Sequence, residues 1–118
     1  MSERKRILVV EDDALIAMEL EERLADLGYA VIGPAHSIAD AEAAIANERP
    51  DAALLDANLA GQSSVGLGAA LAEQGVPVIF CTGYDEIKNK PASLASAPIL
   101  TKPVSDADLS AALKKIVG

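Results

Sequence analysis

Five short runs of unbroken apolar residues, separated by stretches whose apolar residues recur at helical spacing, constrain this chain more than any other feature. The runs are residues 7–10 (Ile-Leu-Val-Val), a weaker 29–32, 52–55, 76–80 and 98–100. Unbroken rather than alternating apolarity marks strands covered on both faces. After the first run, Ile16, Leu20, Leu24 and Leu27 fall at i, i+4, i+8 and i+11, opposite Glu19, Glu22, Arg23 and Asp26. Gly28 stands where a left-handed C-terminal cap is wanted. Ser37 with Asp40, and Ser105 with Asp108, are start signals for two further helices. Ile38, Ala41 and Ile45 line one of them; Leu109, Leu113 and Ile116 line the other. Residues 64–74 read as a helix through Leu67 and Leu71, although Gly66 and Gly68 each cost about 1 kcal/mol relative to Ala. Pro91, with no amide hydrogen, limits residues 85–96 to a short, weakly held helix.

Strand followed by helix, five times over, predicts an α/β fold: one parallel sheet, doubly wound, with helices on both faces. A length of 118 residues suits one domain, and no linker, internal repeat or composition shift divides it. Hydrophobic residues make up 51%, yet there is one Phe, two Tyr and no Trp, so the core is expected to be aliphatic and rich in Ala. Such a surface offers few aromatic platforms for bases. Ten Lys and Arg against eighteen Asp and Glu leave a net charge of −8, which disfavours nucleic acid and anionic lipid and favours a basic or cationic partner.

Cys81 is the single cysteine, so there is no intramolecular disulfide and no cysteine metal motif; a reducing, cytoplasmic setting is expected. Four apolar residues before Glu11 are too few for a signal peptide or a membrane span. Arg4, Lys5 and Arg6 read as a solvated tail, Cys81 as a small buried hydrophobe, and His36, after Gly33-Pro34, is given no role.

In an open parallel sheet ligands bind beyond the carboxyl ends of the strands. There the sequence puts Glu11, Asp12 and Asp13 after the first run, and Asp56, Ala57 and Asn58 after the third. Thr82 and Gly83 follow the fourth, and Thr101, Lys102 and Pro103 the fifth. Carboxylates gathered at one edge repel until one takes a proton or a hard cation neutralises them, and an all-oxygen set suits Mg2+. Asp56 ends an apolar strand, which holds it rigidly, and an aspartate beside Mg2+ is a nucleophile for phosphoryl transfer, giving an acyl phosphate. Lys102 balances the incoming charge, Thr82 offers a hydroxyl to a phosphoryl oxygen, and amides around Ala57 and Gly83 add donors. Singly, each feature has a plain explanation: acids cap helices, Thr-Gly turns, and a lysine before proline sits in a solvated loop. Their joint occurrence at separate strand ends is the signal.

Together, Glu11-Asp12 after Ile-Leu-Val-Val, Asp56 within Asp-Ala-Ala-Leu-Leu-Asp-Ala-Asn-Leu, Thr82-Gly83 and Thr101-Lys102-Pro103 resemble the receiver domain of two-component response regulators. The resemblance spans essentially the whole chain, residues 1–118. It implies a flavodoxin-like (βα)5 fold with strand order 2-1-3-4-5. It implies Asp56 as phosphoacceptor, with Glu11, Asp12, Asp56 and the backbone carbonyl of Asn58 as Mg2+ ligands. Thr82 is then the switch hydroxyl and Lys102 the phosphate-contacting lysine, with the Lys102-Pro103 bond cis. Asp13, one place past the usual acidic pair, reads as the N-cap of the first helix.

The resemblance departs from the common pattern at Ile99, where most receivers carry an aromatic residue. Phe80-Cys81-Thr82-Gly83-Tyr84 is similar to the Phe-Ala-Thr-Gly-X-Tyr signature of a subgroup lacking that aromatic. Transmission is then expected through the loop after the fourth strand and the weak helix following it, with Tyr84 a partner contact or a loop cover. The implied partners are a sensor histidine kinase or a histidine phosphotransfer protein, with no nucleic acid and no membrane; the module regulates and is not a conventional enzyme. The sequence closes at Gly118, so output by protein–protein contact is expected, or membership of a longer regulator or hybrid kinase. The alternative is a pseudo-receiver that binds a partner without phosphorylation. An aspartyl-phosphate hydrolase would need a second Asp where Asn58 stands, and a flavin phosphate would be repelled by the three acids after the first strand.

Overall fold

The computed structural model describes residues 4–83 and 91–117. Five parallel strands form one sheet: β1 (Arg6–Val10), β2 (Ala30–Ala35), β3 (Ala52–Asp56), β6 (Val78–Thr82) and β7 (Ile99–Thr101). Helices α1 (Ala14–Asp26), α2 (Ile38–Asn47), α3 (Val65–Glu73) and α4 (Asp106–Val117) connect or follow them. A small antiparallel hairpin, β4 (Asn58–Leu59) and β5 (Gln62–Ser63), interrupts the passage from β3 to α3. The sheet order is β2-β1-β3-β6-β7, which is the expected 2-1-3-4-5 once the hairpin is set aside.

Alternate residues of each central strand feed two separate apolar layers. Leu8, Val10, Ala53, Leu55 and Phe80 pack on one side with Ala41 of α2 and Leu67 and Leu71 of α3. Ile7, Val9, Leu54, Ile79 and Cys81 pack on the other with Leu20 and Leu24 of α1 and Leu109 and Leu113 of α4. Strands sandwiched in this way have no solvent face, which is why their sequences run apolar without alternation. In α1 the buried residues are Ala17, Leu20 and Leu24; Ile16 and Leu27, at the ends of the expected stripe, are partly exposed.

Local chemistry sets the boundaries. Gly28 and Gly75, both at positive φ, end α1 and α3. Tyr29 N donates to Leu24 O and Val76 N to Leu71 O, closing both helices in the Schellman pattern. Val76 is therefore spent on the end of α3, and β6 starts at Val78, two residues later than the apolar run suggests. It continues through Cys81 and Thr82, so those residues belong to the strand.

The edge strand β2 runs on through Gly33 and Pro34 to Ala35, three residues past the apolar run at 29–32; an edge position tolerates the missing proline N–H. The Gly33-Pro34 bond is cis. The hairpin was not anticipated either. Ala60 and Gly61 both sit at positive φ, the signature of a two-residue type I′ turn, and alanine does not advertise that conformation in sequence. Of the weak helix expected at residues 85–96, residues 85–90 lie outside the described residues, as does Tyr84; the rest contains a single 3-10 turn, Ala92–Leu94. Among the described residues no helix is long and apolar enough to cross a membrane.

Candidate functional site

The three consecutive acids after β1 divide their work. Asp13 caps α1, its Oδ1 accepting from Leu15 N at 2.9 Å and Ile16 N at 3.1 Å. That cap starts the helix and leaves Glu11 and Asp12 at the sheet edge. Glu11 is 2% exposed; its N–H extends the β-ladder to Ala35 O at 2.9 Å, and its Oε2 accepts from Asp13 N at 3.2 Å. Asp12 is exposed.

Asp56 is the last residue of β3, opposite Cys81 of β6 and 9% exposed. Its two carboxylate oxygens have different partners: Oδ1 accepts from Asn58 N at 3.1 Å and Oδ2 from Lys102 Nζ at 3.0 Å. Lys102 Nζ also donates to Glu11 Oε1 at 3.2 Å, so one ammonium bridges the ends of β1 and β3. Lys102 is carried there by β7, where its own N–H donates to Thr82 O at 2.8 Å. Thr82 ends β6, paired with Thr101 and buried at 7% exposure. The Lys102-Pro103 bond is cis, as the resemblance implied. Asn58 lies two residues past Asp56, and its side-chain oxygen accepts from Gly61 N at 2.7 Å, holding the hairpin turn.

The electrostatics follow from crowding and burial. Burial pushes the Glu11 carboxyl up from 4.5 to about 7, helped by its hydrogen bonds with Asp12 and Asp56 and by the charge of Asp56, against the pull of the Asp13 amide. For Lys102 burial acts downward, but the hydrogen bond to Asp56 and the charges of Asp56 and Glu11 outweigh it, so its pKa lies above the ordinary lysine value. Burial drives the Cys81 thiol up to about 12, so beside Asp56 it is an inert protonated neighbour, consistent with its place in the core.

Oxygens of Glu11, Asp12 and Asp56 lie within 4.8 Å of one another. Three carboxyl groups facing one ammonium leave surplus negative charge, and an all-oxygen donor set is what a hard divalent cation requires; the residues fit Mg2+. A cavity of about 360 Å³ opens from this edge between α1 and the segment after β7, with Glu11, Asp56 and Lys102 on its floor and Ile16, Leu20 and Val104 on its walls.

Two contributors escape the sequence reading. Ser64 was taken only as a helix start, but it makes no side-chain cap. It is fully buried, and its Oγ donates to Asp56 O at 2.6 Å, tying the base of α3 to the carbonyl of the site aspartate. His36, given no role, has its Nδ1 3.0 Å from Glu11 O.

Comparison with known proteins places the chain in a family. The family model for the response regulator receiver domain matches residues 7–114. The chain is 39% identical over 113 residues to the phyllosphere-induced regulator PhyR of Methylorubrum extorquens, covering 92% of this chain and 42% of that protein. It is 35% identical to SdrG from Sphingomonas melonis Fr1, whose solution structure superposes with a TM-score of 0.80 over the whole of both chains. The crystal structure titled anti-anti-sigma factor PhyR from Bartonella quintana aligns at 26% identity and a TM-score of 0.83, covering 99% of this chain and 49% of that one. The chain thus spans about half the length of the curated relatives it matches. A match across nearly every residue, together with the shared sheet order, settles the assignment: this chain belongs to the response regulator receiver domain family.

Proposed function

We propose that residues 1–118 form a phosphoacceptor receiver of a two-component phosphorelay. It takes a phosphoryl group from a phosphohistidine, on a sensor histidine kinase or a histidine phosphotransfer protein, onto Asp56. The observation that carries this reading is the placement of the Lys102 ammonium, within hydrogen-bond distance of both Asp56 Oδ2 and Glu11 Oε1. Glu11, Asp12 and Asp56, with the Asn58 carbonyl, would hold Mg2+, which supplies neutralisation of charge on the phosphoryl oxygens.

The chain's own residues do the rest. Asn58 N–H fixes one oxygen of Asp56, so the carboxylate presents a defined face to phosphorus. An Asp56 oxygen bonds to phosphorus as the P–N bond breaks, and the donor imidazole leaves with the electron pair and takes a proton from solvent. Lys102 then exchanges its carboxylate partner for a phosphoryl oxygen, and Thr82 turns its hydroxyl to another. No group here acts as a general base, because the carboxylate attacks already ionised.

Output is by protein contact, in the cytoplasm, and the module is regulatory rather than a conventional enzyme. The likeness to a protein titled an anti-anti-sigma factor supports a protein partner, of which an anti-sigma factor is one class. Exposed Leu15 and Met18, one turn apart on α1 beside the acidic turn, suit docking of the phosphodonor. Incubation with acetyl phosphate and Mg2+, followed by intact mass spectrometry, tests the reading. One phosphoryl group is expected on the wild type and none on Asp56→Asn. An unmodified wild type would replace this reading with that of a pseudo-receiver binding its partner without phosphorylation.

A further inference from the structure

We infer that His36 is a positioning residue for the acidic turn, holding Glu11 and Asp12 in place through the main chain. Glu11 N–H continues the ladder to Ala35 O at 2.9 Å, but β2 ends at Ala35. The Glu11 carbonyl therefore needs a donor that a longer strand would have supplied from its own backbone, and the imidazole supplies it, 3.0 Å away. A carbonyl oxygen only accepts, so Nδ1 carries the proton, which fixes the tautomer of the neutral ring.

His36 reaches this position because of an irregularity in β2. Leu8 pairs with Ile32, yet Val10 pairs with Ala35, so two steps along β1 are matched by three along β2. The extra residue is accommodated at Gly33, at φ +92, where a Cβ would lie 2.6 Å from Ala35 N. Without the insertion Pro34 would face Val10, and His36 would fall one place farther along the edge. The bulge thus brings Ala35 O to the N–H, and the His36 ring to the carbonyl, of one residue, Glu11, so that the peptides on either side of its Cα are both held where the chain passes into Asp12. A bond of this kind reaches the ligating oxygens only through the main chain that carries Glu11 and Asp12, and a fixed main chain limits where those side chains can place them.

The proposal rests on the acids being a Mg2+ site, and the experiment separates the two ideas. Mg2+ affinity is measured by titration followed by amide NMR, with hydrogen exchange at Asp12 and Asp13 measured in metal-free protein. Three variants are compared at one pH. His36→Ala removes the donor, His36→Asn returns an amide N–H near the position of Nδ1, and His36→Gln places it near Nε2. Exposure of His36 keeps all three foldable. His36→Ala and His36→Gln are expected to weaken Mg2+ about three- to tenfold and to speed exchange, the range one such hydrogen bond commands. His36→Asn is expected to restore both readouts to near wild type. Equal affinity and exchange across the variants, or a loss in Ala that Asn leaves unrepaired, overturns the positioning role. A wild type that takes up no Mg2+ overturns the metal reading instead, while a change in exchange confined to the same variants would still uphold the hydrogen bond.

Discussion

Glu11 carries a carboxyl group into a place where its charged form is poorly solvated, and a sign follows for stability. Between its ordinary pKa of 4.5 and the raised value of about 7, the folded chain holds a proton the unfolded chain has lost. Folding stability of the metal-free protein therefore falls as pH rises through that window and levels off above it, as far as Glu11 is concerned. Lys102 has the raised pKa of a paired cation, so its contribution stays in place throughout and is lost only above the ordinary lysine range. Urea midpoints in chelator at pH 5 and pH 8 should show this decline, and Glu11→Gln should flatten it. Saturating Mg2+ should reverse the trend, because a bound cation favours the ionised acid. Asp56 and Lys102 could be chosen from sequence because they occur jointly with the acids after β1 and with Thr82 at separate strand ends. Ser64 could not, since a serine at the start of a helix predicts a cap and nothing in sequence says that its hydroxyl turns back to Asp56 O.

At the scale of single elements, α3 shows how one residue type serves two ends. Gly68 faces the sheet, and a Cβ there would lie 2.6 Å from Phe80 Cζ; Gly66 is exposed with nothing within 4 Å. Gly68→Ala should destabilise by about 1–2 kcal/mol through overpacking under the ring. Gly66→Ala should stabilise by about 0.5 kcal/mol through helix propensity alone. Chemical denaturation of the two variants checks both signs, which a propensity argument made in ignorance of Phe80 would give as equal. In α1 the exposed pair Leu15 and Met18 leads to a different test. Leu15→Asp with Met18→Asp should slow phosphotransfer from a cognate phosphohistidine donor by tenfold or more, on the order of one lost apolar anchor, while labelling by acetyl phosphate stays near wild type. Equal losses with both donors would place the defect at Asp56 rather than at docking.

For the molecule as a whole, the site exists only because strands remote in sequence end side by side. Val10 pairs with Leu55, Asp56 with Cys81, and Thr82 with Thr101, so β1, β3, β6 and β7 present their last residues to one edge. A cation bound there joins the ends of β1 and β3 and must stabilise the whole fold by mass action. Mg2+ at about 100 times its dissociation constant should add about 2.7 kcal/mol, seen as a rise in Tm, and Asp56→Asn should reduce that rise.

Sequence alone was enough to determine the class of fold, the order of its elements and the residue types at the strand ends. Unbroken apolar runs, helical periodicity and caps are local consequences of burial and backbone chemistry, and each can be read without knowing its partners. The tertiary structure alone decided which atoms meet. Lys102 joins Glu11 to Asp56 across 91 and 46 residues of chain, Gly68 is demanded by a ring on β6, and His36 is brought to Glu11 by a bulge in the edge strand. Such contacts depend on register and on the packing of one element against another, and a shift of one residue in a strand turns every side chain to the opposite face.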